Sequence, residues 1–535
     1  MQNVGIIVML LFGITFLSVL SNKYRFPFPI VLVVCGVAIS LVPHLPVIAL
    51  NPDVVFLIFL PPLLYGAAWN TSWHEFRSAL RPISFAAVGL VLFTTILVAV
   101  AAYALIPGLS WPVAFLIGAI VSPPDAVAAT SITKGLGLHP RLVAILEGES
   151  LVNDASGLIA YQYALRAIAT GNFVLWQAGS NFVLTATGGI AIGLGIGFLM
   201  RFIHKNYICD PVIEVTLTFL TPFAAYLMAE EVHCSGVLAV VVTGLYLSYR
   251  SSEIFSYQSR IMAYSVWEVV VFILNGLIFI LIGLQLRTVM AAINDYTPGA
   301  LLVYGAVISL IVIVVRFIWV VPAAMLPRLL SRRIRQKESF DFRNMVVFGW
   351  AGMRGVVSMA AALALPVTLD DPAKTPFPHR NLVIFITFCV ILATLVPLGL
   401  TLPWIIRKLK MERYSIVLEE YEVRSQIVTT AITYIEENLA LSQEELLHNI
   451  KTKYEVKYNR LQKTELPANY FANGKTLQGN IFNEYSKMQI ELIMVERRAV
   501  ELLHQSGKAS EEILRKVERE LDLEETRLQL EMYEA

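Results

Sequence analysis

The chain carries about thirteen apolar stretches long enough to cross a hydrocarbon core of roughly 30 Å. They lie near residues 4–21, 30–48, 54–69, 84–107, 111–130, 143–169, 181–203, 212–229, 236–249, 264–286, 300–326, 344–366 and 382–405. So many apolar segments predict an all-α polytopic membrane protein. The opening Met-Gln-Asn-Val-Gly has no basic n-region, which predicts a first span and not a cleaved signal peptide.

Charge divides the chain in two. Residues 407–535 carry 19 basic and 23 acidic side chains, against 22 and 17 in the whole of the first 406. The division predicts a transmembrane domain over 1–408 and a cytoplasmic helical domain over 409–535. Basic residues also alternate between the connecting loops. Lys23 and Arg25, Arg77 and Arg81, Lys134 and Arg141, Arg201 and Lys205, Arg250 and Arg260, and the run from Arg328 through Arg332, Arg333, Arg335 and Lys337 to Arg343 fall on one side. The other side has Arg287, Lys374 and Arg380. The basic side marks the cytoplasm, so an odd number of spans puts the N-terminus outside and the tail inside. A net charge of +1 provides no basic stripe for a nucleic-acid partner. Cys35, Cys209, Cys234 and Cys389 are too scattered for a CxxC pair or a transition-metal site.

Ionisable residues inside a span are costly and mark function. They concentrate in IGAIVSPPDAVAAT and AILEGESLVNDASGLIA. Pro123 and Pro124 have no N–H, so the helix loses its bonds to the carbonyls of Ala119 and Ile120. Such a break survives in lipid only when buried in protein or lining a cavity. Ser122 and Asp125 flank it; a plain proline kink with Asp125 as N-cap is the alternative. On the next span Ser150 and Asp154 share one helix face, and Glu149 and Asn153 an adjacent one. Carboxylate, amide and hydroxyl oxygens suit a small hard cation, where a soft metal would want sulfur or imidazole. Arg316 and Arg354 are the basic partners available to the two acids, and Gly349, Gly352 and Gly355 around Arg354 indicate a second interrupted helix. Two interrupted spans in separate halves point to a transporter site near the midplane. Glu214 and Glu268 read as interfacial or structural acids. Glu230, Glu231 and His233 read as a solvated outer loop, with a cation funnel as the alternative, and His74, His139 and His204 as loop residues open to a pH-sensing role.

Together FLPPLLYGAAW (59–69), SPPDAVAAT (122–130), EGESLVNDASG (147–157), SGVLAVVVTGLYLS (235–248), FILNGLIFILIGLQL (272–286) and WAGMRGVVSMA (350–360) resemble the monovalent cation/proton antiporter family, in its sodium/proton exchanger branch. The resemblance covers roughly residues 5–408. It implies inverted repeats, two broken helices that cross, a mobile core, a homodimer in the lipid of the cell membrane, and alternating access. By motif, Asp154 matches the ion-binding carboxylate, Asn153 its paired asparagine, Asp125 the acid at the crossing and Ser150 a nearby ligand. Glu149 matches a structural acid paired with an arginine, here Arg316 by motif with Arg354 also in reach. Arg354 matches the arginine that opposes helix-end charge. Two departures set this chain apart: Pro124 precedes Asp125 and Ala126 follows it, and Gly66 stands where some relatives carry an acid.

The implied activity is exchange of a monovalent cation, sodium first and potassium or lithium as alternatives, for a proton. A desolvated carboxylate holds either a proton or a cation. With an amide at 153 one charge changes hands per cycle, which predicts electroneutral one-for-one exchange. A cation channel is the rival reading. No nucleophile-base constellation points to an enzyme, and no GxxxxGK[ST] motif or other sign of a cofactor appears. In the tail, Met488, Leu492, Val495, Ala499 and Leu502 form a heptad-like seam, and Ser510 followed by Glu511 and Glu512 predicts the start of the last helix.

Overall fold

The computed structural model describes residues 2–24, 26–42, 55–133, 138–171, 175–208, 210–291, 293, 296–330, 342–369, 375–411, 416–438, 454, 479–506 and 509–534. Arg25, Lys134, Cys209, the basic residues 332–337 and Lys374 lie outside them. The chain divides into two compact units, Met1–Ile254 with Ala263–Arg413, and Phe255–Met262 with Tyr414–Ala535.

Among the described residues the first unit is helical, apart from an isolated antiparallel bridge between Thr368 and Pro376. Its main helices are α1 (Gln2–Tyr24), α2 (Phe28–Ser40), α3 (Leu60–Asn70), α4 (Val91–Leu105), α5 (Trp111–Val121), α6 (Ala126–Thr133), α7 (Pro140–Thr170), α8 (Leu175–Tyr207), α9 (Pro211–Glu231) and α10 (Gly236–Tyr249). Then follow α11 (Tyr257–Ala291), whose first turns belong to the second unit, α12 (Pro298–Leu330), α13 (Phe342–Trp350), α14 (Val356–Leu363) and α15 (Arg380–Lys408).

Among the described residues seven stretches are long and apolar enough to cross a membrane: Gly5–Tyr24, Leu80–Leu105, Gly179–Tyr207, Pro211–Glu231, Tyr257–Ala291, Pro298–Ala323 and Arg380–Lys408. The other predicted spans fall on shorter apolar helices, on the interrupted pairs α5/α6 and α13/α14, and on α7, where Glu147, Glu149 and Asp154 lower the hydropathy. Burial is graded. In α15 72% of the most apolar window is buried, in α1 only 11%. Phe12 and Phe16 of α1 and Phe198 and Phe202 of α8 are exposed, as expected where lipid and not protein solvates a helix.

Small residues let these helices approach closely. Gly118 of α5 lies against the Thr95 backbone of α4, and Gly157 of α7 against the Pro123 ring, so a Cβ at either would collide. The long α7 is bounded by local chemistry. Pro140 occupies its first turn, the His139 Nδ1 accepts from Arg141 N at 3.2 Å, and Gly171 closes it in the left-handed region, φ 70°.

The second unit contains α16 (Ile416–Asn438), α17 (Gly479–Ser506) and α18 (Glu511–Glu534), with Ile427, Ile493, Val500, Leu503, Leu514 and Leu521 in its core. The expected seam needs one correction. Leu502 is 64% exposed and Leu503 is buried in its place. Met488 to Leu502 spans two heptads, over which a straight helix drifts by only about 40°; the buried stripe is centred on Ile493, Val500 and Leu503 and leaves Leu502 on the exposed side. Arg424 meets Glu520 in two hydrogen bonds of 2.6 and 2.7 Å. Buried Arg260, contributed by the first turns of α11, pairs with Asp522, which also meets Arg497 at 2.6 Å.

Candidate ion-binding site

The helix of α5 stops at Val121 and resumes at Ala126. Of the two carbonyls that the prolines deprive of N–H partners, Ala119 O accepts instead from the Ser122 hydroxyl at 3.1 Å. The carbonyl of Pro124 accepts from Asn153 Nδ2 at 2.9 Å, so the amide on α7 braces the break. A second interruption separates Trp350 from Val356. The two meet through the backbone: Asp125 N donates to Met353 O at 2.7 Å. The Asp125 carboxyl rests on Gly355, where any Cβ would overlap it.

Asp154 follows Asn153 and is 7% exposed. Its carboxylate makes no hydrogen bond or ion pair to the described residues, and Asn153 Oδ1 is buried with no partner among them. Asp125 is near enough to act on Asp154 by like-charge repulsion. Half-buried Ser150 lies one turn before Asp154 on α7. The Asp154 carboxylate and Asn153 Oδ1 are thus buried acceptors without a donor among the described residues, a need that a proton or a small cation would satisfy.

Glu149 is separate from this pocket chemistry. Its two oxygens accept from Arg316 Nη1 and Nη2 at 2.7 and 2.8 Å, and both side chains are buried. Arg316 Nε also donates to Phe348 O at 3.1 Å, its guanidinium lies over the Phe348 ring, and Gly352 leaves room for its stem. Of the two arginines within reach by sequence, the ion pair is with Arg316. Arg354 is fully buried, and its three guanidinium nitrogens have no hydrogen-bond partner among the described residues. Its backbone N donates to Thr394 Oγ1 on α15 at 3.0 Å.

Glu214 is buried near the start of α9, and Glu268 is exposed on α11. Sequence reasoning missed Thr394 and the carbonyls of Pro124 and Met353. Carbonyls carry no residue-type signal; Thr394 had only its place in an apolar run.

The fold and this site define a multi-pass membrane protein with a buried and a half-buried acid at two touching helix interruptions. The family model for the transmembrane sodium/hydrogen exchangers matches residues 6–408. The chain belongs to that sodium/hydrogen exchanger family. It is 32% identical to an uncharacterized Na+/H+ exchanger of Mycobacterium tuberculosis, over 98% of this chain and 96% of the relative. It is 31% identical to the sodium, potassium, lithium and rubidium/H+ antiporter of Bacillus subtilis, over 87% of this chain and 72% of that protein. The solved sodium proton antiporter MjNhaP1 of Methanocaldococcus jannaschii superposes with a TM-score of 0.61 at 19% identity, over 77% of this chain and 99% of that one, a likeness of fold.

Proposed function

We propose that the protein exchanges sodium for protons, one for one, by alternating access, with Asp154 as the carboxylate that carries either ion. The observation that carries this reading is a nearly buried Asp154 with no donor of its own, beside an asparagine whose amide is committed to a broken helix. An ionised carboxylate in that setting is held by a cation or takes up a proton, so the two compete. Asp125, Asn153 Oδ1 and Ser150 supply further hard oxygens. Glu149 and Arg316 hold helices together. Arg354 opposes the carbonyl ends of α5 and α13, where helix dipoles leave negative charge.

The reading extends to thirteen spans in two inverted repeats with crossing interruptions, a homodimer in the plasma membrane, and an outer N-terminus. Residues 409–535 form a cytoplasmic domain that tunes exchange. Potassium is the second candidate substrate, because the Bacillus subtilis relative is named for four alkali cations.

Proteoliposomes loaded with a pH-sensitive dye test this directly. Each alkali cation in turn should drive proton movement in the parent and not in Asp154→Asn. A potassium-valinomycin potential should not drive the exchange, once potassium is shown not to be carried. Sodium flux without coupled protons would establish a channel instead. Truncation near Met411 should leave exchange with an altered pH response.

A further inference from the structure

Two adjoining cavities of about 190 and 130 Å³ lie between α7 on one side and α8, α9 and the start of α10 on the other. Their walls include Leu158, Tyr161 and Leu165 of α7. Counted from Asp154, these are four, seven and eleven residues on, the spacing of a single helix face. The smaller, inner cavity therefore reaches α7 one helical turn after Asp154, with Ile159 and Gln162 of the adjoining face lining both cavities.

Glu230, at the end of α9, lines both cavities. Its Oε1 accepts from Gly236 N at 3.3 Å, while Oε2 makes no hydrogen bond or ion pair to the described residues. Among the described residues Arg166 and His233 line only the larger cavity, and Glu230 is the one charged residue lining the smaller. Beside it are the hydroxyls of Thr185 and Ser235 and the amide of Gln162. The wall opposite α7 is held by backbone contact. Ser235 N donates to Thr185 O at 3.1 Å, and Gly188 and Gly189 of α8 leave no room for a Cβ against Cys234 and Ser235.

We propose that this cavity pair is a loading site, where the transported alkali cation is held by Glu230 with oxygens of Thr185, Ser235 and Gln162 on its way to or from Asp154. The oxygen set is hard and the net charge of the inner cavity is negative, which suits a small monovalent cation and disfavours an anion. In the orientation given above it opens to the outer face. The inference rests on the antiport reading for its cargo, and the experiment below separates the two.

Cys234 lines both cavities and serves as the reporter. Full-length protein with Cys35, Cys209 and Cys389 changed to alanine keeps it as the single thiol. In proteoliposomes, sodium chloride in place of choline chloride should slow its modification by a methanethiosulfonate reagent, and Glu230→Gln should remove that protection. In Asp154→Asn the protection should persist, since the loading site binds by itself. Protection lost in Asp154→Asn, or retained in Glu230→Gln, overturns the proposal, as does sodium-independent labelling in a parent that still exchanges. A parent that shows protection but no exchange sinks the antiport reading and leaves the site standing. A second measurement needs no cysteine background. Glu230→Gln should raise the KM for sodium by about tenfold, the worth of one charge-assisted contact, well beyond any fall in maximal rate, and Glu230→Asp should recover part of it. An unchanged KM in Glu230→Gln overturns the proposal.

Discussion

The side-chain amide of Asn153 donates to the backbone carbonyl of Pro124 at 2.9 Å, across 29 residues of chain. The residue beside Asp154 thus also braces the chain at the break that two prolines make after α5. A buried carbonyl left without a donor costs about 1 to 3 kcal/mol. Asn153→Leu is therefore expected to lower thermal stability by that order as well as slow exchange, as read by a melting curve of the purified protein and dye-based flux. Asn153→Asp can donate to Pro124 only as the neutral acid, so exchange in that variant should stay indifferent to membrane potential; a steady transport current would show otherwise.

Glu149 and Arg316 form a doubly hydrogen-bonded pair with both partners buried. Removing one leaves the other charged in a low dielectric, at a cost of about 3 to 5 kcal/mol. Glu149→Ala should melt well below the parent while the preference among alkali cations stays the same. The double change Glu149→Leu with Arg316→Met should regain much of the lost stability. A Glu149→Ala protein that melts like the parent would refute the pairing.

Gly355→Ala tests the contact between the two interruptions. Its Cβ would fall on the Asp125 carboxyl. The carboxyl or the backbone must then move, so exchange should drop sharply in protein that still inserts and purifies as a folded species. Gly5→Ala, at a glycine with open space around it, is the control and should change nothing.

In the tail, His504 Nε2 meets Glu511 Oε2 at 2.9 Å. This hydrogen bond, aided by the charges of Glu511 and Glu518 and opposed by burial and Arg515, raises the imidazole above its ordinary value of 6.5. A raised folded-state value means that the contribution to stability is complete below about pH 6.5 and fades as pH climbs through the raised value. Hydrogen-exchange protection factors of the full-length protein over residues 504–506 and 509–514, with the intrinsic base-catalysed rate divided out, should therefore be lower at pH 8 than at pH 6. His504→Gln should flatten that dependence, and a slope unchanged in the variant would exclude His504 as its source.

Much of the site was legible because membrane burial makes each polar residue conspicuous: Asp154, Asn153, Glu149 and the Pro123-Pro124 break could be picked out one by one. What joins them was not. Asp125 binds a carbonyl 228 residues away, and the Arg354 amide finds a hydroxyl on α15. Such links depend on which helices become neighbours, and periodicity within one helix does not encode that. The choice of Arg316 over Arg354 for Glu149 is of the same kind. So is the second unit's claim on Phe255–Met262, where Arg260 meets an aspartate 262 residues on. The exposure of Leu502 beside buried Leu503 is of that kind too, set by which face of α17 meets its neighbours.

The gap between α5 and α6 is covalent in origin. Neither Pro123 nor Pro124 can recover an N–H, so no occupancy of the pocket can zip that helix closed. Loading and unloading then require no local melting and refreezing of backbone there. In the proposed exchange the thermal coefficient of turnover is left to the movement of preformed helices, and the break beside Asp154 is as permanent as the peptide bonds that create it.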